Sequence, residues 1–181
     1  MSNAVGQVVV RGEDPLWFLG TVARLKLDGA QTGGRFALWE GVLPHGAAPP
    51  LHSHPQDETF YVLDGEVTAW IVEPELARDD GEPPRWVAEC GQRGAAGMVA
   101  FAPGGTPHTF RVESATAKLL FLSTPAGVEE YVRALAEPAA WPWLQPPADG
   151  PRVPVEHIRA VERSLEMVRH GPPPPACSSS S

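Results

Sequence analysis

Apolar and polar residues alternate through most of the first 124 positions. Short β-type runs at 8–10, 16–19, 22–27, 36–43, 59–63, 67–72, 86–90, 98–102, 108–112 and 119–122 are separated by Gly and Pro. A period of two punctuated by breakers predicts strands, and nine or ten of them in one stretch predict a sandwich or barrel. The Asp64-Gly65 pair between two runs predicts a two-residue hairpin that would fix the register of Glu58 to Phe60. The polar, Pro-bounded stretch 74–84 predicts a surface excursion. Beyond Leu122 the period lengthens. Thr124 as N-cap, Pro125 at the first position and Val128, Tyr131, Val132 and Leu135 on one face predict a helix that Pro138 stops. A second helix is predicted over 154–170, with Val155, Ile158, Val161, Leu165 and Val168 as its apolar stripe and Gly171 as its stop.

These elements define an all-β domain over residues 1–171, with a core near 34–124 and two C-terminal helices packed outside. Residues 172–181 (PPPPACSSSS) cannot bury apolar surface and are expected to be disordered. At 181 residues the chain suits one domain, and 43% apolar against 20% charged residues is a globular balance. The net charge of −8, without a Lys/Arg cluster, argues against nucleic-acid and anionic-membrane partners, whose phosphates need basic neutralisation. With no run of 18 apolar residues and no leader pattern, a cytoplasmic protein is expected. Cys90 and Cys177 form no CxxC pair and carry no expected chemistry.

The chemistry concentrates between Gly46 and Gly65, where His52, His54 and Glu58 fall within seven positions. Residues two apart on a strand share a face, so His52 and His54 point one way, and Glu58 keeps their parity. Farther on, a Pro/Gly-rich turn leads into His108, the natural fourth donor. Three imidazoles and a carboxylate favour a transition metal over Mg or Ca, which prefer all-oxygen shells. A lone strand histidine is ordinarily structural, and His45, His157 and His170, outside this spacing, are read as surface or structural residues. Asp57 has the opposite parity and is expected to face solvent. The inward positions Phe60, Val62, Phe110 and Val112 are expected to form the substrate pocket, with Trp39 flanking it.

The two segments resemble the paired signatures of the cupin superfamily, G-x5-HxH-x3,4-E-x6-G and G-x5-PxG-x2-H-x3-N. The first is met throughout. The second is met at Gly97, Pro103, Gly105 and His108, with Val112 where the family has Asn. Within the superfamily the layout is similar to small, single-domain quercetin 2,3-dioxygenase-like proteins of bacteria, through Leu16 to Gly20, Thr32-Gly33-Gly34, Pro49 to His52 and the trailing helix ending at Gly171. The resemblance implies a jelly-roll β-barrel and one divalent transition metal ion per subunit (Fe, Mn, Ni, Co or Cu, with Zn as a possible occupant). His52, His54, Glu58 and His108 would hold it. It implies a dioxygenase acting with O2 on a flavonol-like or other enolisable hydroxy-ketone, with Glu58 also as general base. Separately, a homodimer through sheet edges or the terminal helices is expected, since open edges need covering. The same donors would serve a metal-dependent isomerase, cyclase or lyase without O2, or a non-catalytic small-molecule binder, because ligand residues report coordination rather than reaction.

Overall fold

Buried and half-buried side chains alternate strictly along residues Ala37 to Pro44, the signature of a strand with one face in a core. The computed structural model describes residues 8, 12–72, 91–139 and 153–174. The excursion at 74–84, the run at 86–90, residues 9–10, both cysteines and most of the C-terminal tail lie outside the described residues.

Among the described residues there are twelve strands: β1 (Leu16–Phe18), β2 (Thr21–Leu27), β3 (Ala37–Pro44), β4 (Leu51–Ser53), β5 (Asp57–Asp64), β6 (Glu66–Ile71), β7 (Gln92–Ala95), β8 (Val99–Ala102), β9 (His108–Val112), β10 (Thr116–Thr124), β11 (Ala136–Pro138) and β12 (Val168–Gly171). They form a seven-stranded sheet, β11-β1-β2-β3-β10-β5-β8, and a five-stranded sheet, β12-β4-β9-β6-β7, antiparallel throughout. Leu25, Trp39, Phe60, Val62, Leu119 and Phe121 from the first sheet meet Val67, Ala69, Phe110 and Val112 from the second in one buried cluster. This is the expected all-β layering, although no backbone ladder among the described residues closes the two sheets into a continuous barrel.

The hairpin expected at Asp64-Gly65 is not formed. β5 pairs with β10 and β8, whereas β6 pairs with β9 and β7, so the chain changes sheet at Gly65. A type I′ turn needs positive φ at both central residues, and here only Gly65 has it (+84°). A Cβ at Gly65 would strike the Thr116 carbonyl, which explains glycine without a hairpin. The register of Glu58 is set instead by Ser123 on β10 and Ala102 on β8.

Both C-terminal helices are shorter than their periodicity suggests. Thr124 ends β10 and its hydroxyl donates to the Arg35 carbonyl (2.9 Å), so it does not cap a helix. Helix α2 (Val128–Leu135) starts after Gly127, whose N–H donates to Glu129 Oε2 (2.6 Å). Pro138 does not stop α2, because Ala136–Pro138 already pairs with β1. Helix α3 (Val155–Ser164) ends six residues before His170: Glu166 turns through φ +54°, and Val168–Gly171 becomes β12, paired with β4. The apolar stripe does not become a buried helix face, since Val155 is 57% and Val168 51% exposed. A one-turn helix α1 (Gly29–Thr32), closed by an Asp28–Gln31 capping box, completes the elements. No helix among the described residues is long and apolar enough to cross a membrane.

Candidate metal centre

His52 on β4 and His108 on β9 are direct cross-strand partners, so their rings project from the same face of the five-stranded sheet. Glu58 projects from β5 of the opposing sheet, and His54 follows the end of β4. One ligand atom from each of these four residues lies within 4.8 Å of all the others. His54, Glu58 and His108 are buried, and His52 is half-buried. The group therefore bridges the two sheets.

Local backbone contacts hold the donor segments against each other. The Gly105 N–H donates to the His54 carbonyl (2.8 Å) and the Gly104 N–H to Asp57 Oδ1 (2.7 Å), tying the turn before His108 to the turn between His54 and Glu58. A Cβ on Gly104 would run into the Pro55 carbonyl, so glycine is required for that approach. Asp57, expected to face solvent, is half-buried and spends one oxygen on this lock.

The imidazole tautomers follow from their outer partners. Nδ1 of His52 donates to the Pro50 carbonyl (2.9 Å) and Nδ1 of His108 to the Thr106 carbonyl (2.8 Å), which turns both Nε2 atoms toward the centre. His108 Nε2 lies 2.9 Å and His54 Nε2 3.4 Å from Glu58 Oε2. Burial alone would raise the Glu58 pKa, but the hydrogen bonds with His108 and His54 outweigh it and hold the carboxyl well below the usual range. Burial would lower the pKa of His108, but its bond to Glu58 raises it instead. Burial, with the charge on His108, pushes His52 down to about 4. An ionised carboxylate ringed by imidazoles with Nε2 inward is a donor set that fits a borderline divalent cation, which would take the place of the shared proton.

A cavity of about 370 Å³ adjoins the centre, within the roughly 300–1,000 Å³ typical of small-molecule sites. His52 and Glu58 stand on its wall beside an aromatic lining from Phe18, Trp39, Phe110 and Phe121. Trp39, expected to flank a pocket, stacks on Phe121 with ring centroids 3.9 Å apart. Of the four inward residues expected to form the pocket, the structure places Phe110 on the cavity wall. Phe60, Val62 and Val112 pack in the core between the sheets and are not among the lining residues. Tyr131, Glu162 and Arg169 also line the cavity and were not anticipated. No local pattern in the sequence marks them, since Tyr131 comes from α2, Glu162 from α3 and Arg169 from β12, and only tertiary packing brings the three together. His170 sits on the same strand, its Nε2 2.8 Å from Ser53 Oγ.

Comparison with known proteins agrees with this geometry. Residues 39–125, which contain all four donors, match the Cupin domain family. The chain is 25% identical over 138 residues to quercetin 2,3-dioxygenase of Bacillus subtilis (strain 168), covering 75% of this chain and 36% of that protein. It thus spans about a third of that relative's length. Among solved structures, KdgF from Halomonas sp. is 19% identical at a TM-score of 0.46, covering 61% of this chain and 85% of its own. An RmlC-like cupin from Shewanella frigidimarina is 16% identical at 0.48, covering 65% and 89%. With the paired donor segments and the family match, residues 39–125 form a cupin domain.

Proposed function

We propose that the protein is a metal-dependent dioxygenase acting on a flavonol-like or other enolisable hydroxy-ketone. One observation carries this reading: two of the four clustered donors, His52 and Glu58, open onto an aromatic-walled cavity of a size that takes a small aromatic molecule. The similarity to a quercetin 2,3-dioxygenase supports the choice of substrate class. His52, His54, Glu58 and His108 would hold one divalent transition metal ion. Bound there, the metal would supply Lewis-acid and redox chemistry toward the substrate oxygens and O2. Phe110, Phe121 and Trp39 exclude water and present flat apolar faces to an aromatic ring. Glu58, alternating between metal ligand and general base, would accept the substrate hydroxyl proton, leaving an electron-rich enolate.

The test is O2 uptake with quercetin by protein reconstituted separately with Fe, Mn, Ni, Co and Cu. Uptake is expected with one metal above the rest, falling about a hundredfold or more in His52→Ala, since loss of a ligand should cost at least as much as loss of its outer-shell support. Stoichiometric metal binding without uptake for any metal would remove oxygenation and leave the isomerase, cyclase or lyase reading and the binder reading.

A further inference from the structure

The cavity has a second polar wall. Glu162, at 6% exposure one of the most deeply buried charged side chains described, lines it together with Arg169 and Tyr131. Arg169 Nε donates to Glu162 Oε1 (2.7 Å), Arg169 Nη2 contacts the same oxygen, and the Tyr131 hydroxyl donates to it as well (3.3 Å). All these bonds converge on Oε1, and among the described residues no donor engages Oε2. Burial, then the charge on Glu162, pushes the Tyr131 phenol up to about 12, so it remains a hydrogen-bond donor at neutral pH.

The strand register places this cluster beside the metal centre. Arg169 on β12 is the cross-strand partner of His52 on β4. Partners directly opposite in an antiparallel pair project to the same face, so the guanidinium and the His52 imidazole enter the cavity side by side. Glu162 is buried while Arg169 is 42% exposed, and a buried carboxylate is ordinarily satisfied at both oxygens, so one kept at the cavity wall with an oxygen unengaged calls for a ligand donor.

We infer that Glu162 is a specificity-determining residue that accepts a hydrogen bond from a ring hydroxyl of an aromatic ligand whose other end lies at the metal centre. Arg169 is the positioning residue: it neutralises the carboxylate and fixes its rotamer so that Oε2 faces the ligand, while the longer Tyr131 contact (3.3 Å) is dispensable for that orientation. This rests on the aromatic-substrate reading of the cavity. The recognised group is a neutral hydroxyl rather than an anion, because Glu162 would repel a second carboxylate.

The probes are quercetin, with hydroxyls on its outer rings, and 3-hydroxyflavone, which keeps only the hydroxyl proposed to act at the metal. Binding of each to the metal-loaded full chain is measured by fluorescence titration, with metal content and O2 uptake measured alongside. The expected preference for quercetin is about tenfold or more, the size of one hydrogen bond to a charged group. In Glu162→Gln the preference should collapse while 3-hydroxyflavone affinity and metal content stay unchanged. Glu162→Asp, which withdraws the carboxylate by one methylene, should lose it too, whereas Tyr131→Phe should keep it. An undiminished preference in both Glu162 variants overturns the inference, as does an equal loss in Tyr131→Phe. Discriminating binding without O2 uptake leaves the inference standing and removes only the dioxygenase reading, while failure of both flavonols to bind overturns both.

Discussion

Glu113 gathers three hydrogen bonds on one oxygen, from Thr68 Oγ1 (2.7 Å), Arg111 Nε (3.0 Å) and Arg111 Nη2 (2.7 Å). Burial would raise its pKa, but the bonds from Arg111 and Thr68 outweigh burial and lower it. A carboxylate whose folded pKa lies below its unfolded value adds stability above the unfolded value and loses it as the pH falls through the folded one. Glu113→Gln should therefore lower the thermal unfolding midpoint at pH 7, and the gap from the native chain should narrow as the pH falls through and below the ordinary carboxylate range. A gap that stays constant from pH 7 to pH 3 would mean that the charge of Glu113 plays no part. At this scale the metal donors were legible in the sequence, because His52, His54 and Glu58 are close neighbours whose parity alone puts them on one face. Glu162, Arg169 and Tyr131 were not, because their meeting depends on how α2, α3 and β12 pack against one another, which is not a local property.

At the scale of elements, the eight predicted runs that fall among the described residues each coincide with a strand, to within two or three residues, because burial of one face is what the pattern records. The errors fall where tertiary pairing overrides a local signal. Asp64-Gly65 has hairpin chemistry, yet β5 finds better partners in β10 and β8, and the glycine serves a crossover. Residues 165–170 have helical spacing, yet the open edge of β4 recruits 168–171 as a strand. That recruitment bears on the site, because β4 meets β9 through one residue pair, His52 with His108, whereas it meets β12 through three. Ending the chain after Ser164 should therefore loosen His52, weakening metal affinity by about ten- to a hundredfold, the size of losing outer-shell support for a ligand. Isothermal titration of Co into the two chains measures this, and equal dissociation constants would mean that β9 alone holds β4 in place.

For the whole molecule, the centre acts as a cross-brace. His52 and His108 come from the five-stranded sheet and Glu58 from the seven-stranded one, so a cation held by all of them ties together layers otherwise joined by side-chain packing, chain crossovers and a few loop hydrogen bonds. The four donors converge only when both sheets are in place, so the native chain should bind the ion far more tightly than the unfolded one. Binding to the native state alone stabilises it by RT ln(1 + [L]/Kd), or about 2.7 kcal/mol at a hundredfold excess over Kd. For a chain of this length that corresponds to a rise of roughly 5–10 °C in the unfolding midpoint. Calorimetry of the metal-stripped protein with and without added Zn should show this rise, and His54→Ala should show a small fraction of it at the same Zn concentration. The variant separates the braced centre from metal bound elsewhere on an acidic surface, because removing one imidazole cripples the first and leaves the second intact. An equal rise in His54→Ala would move the bound metal away from these four residues.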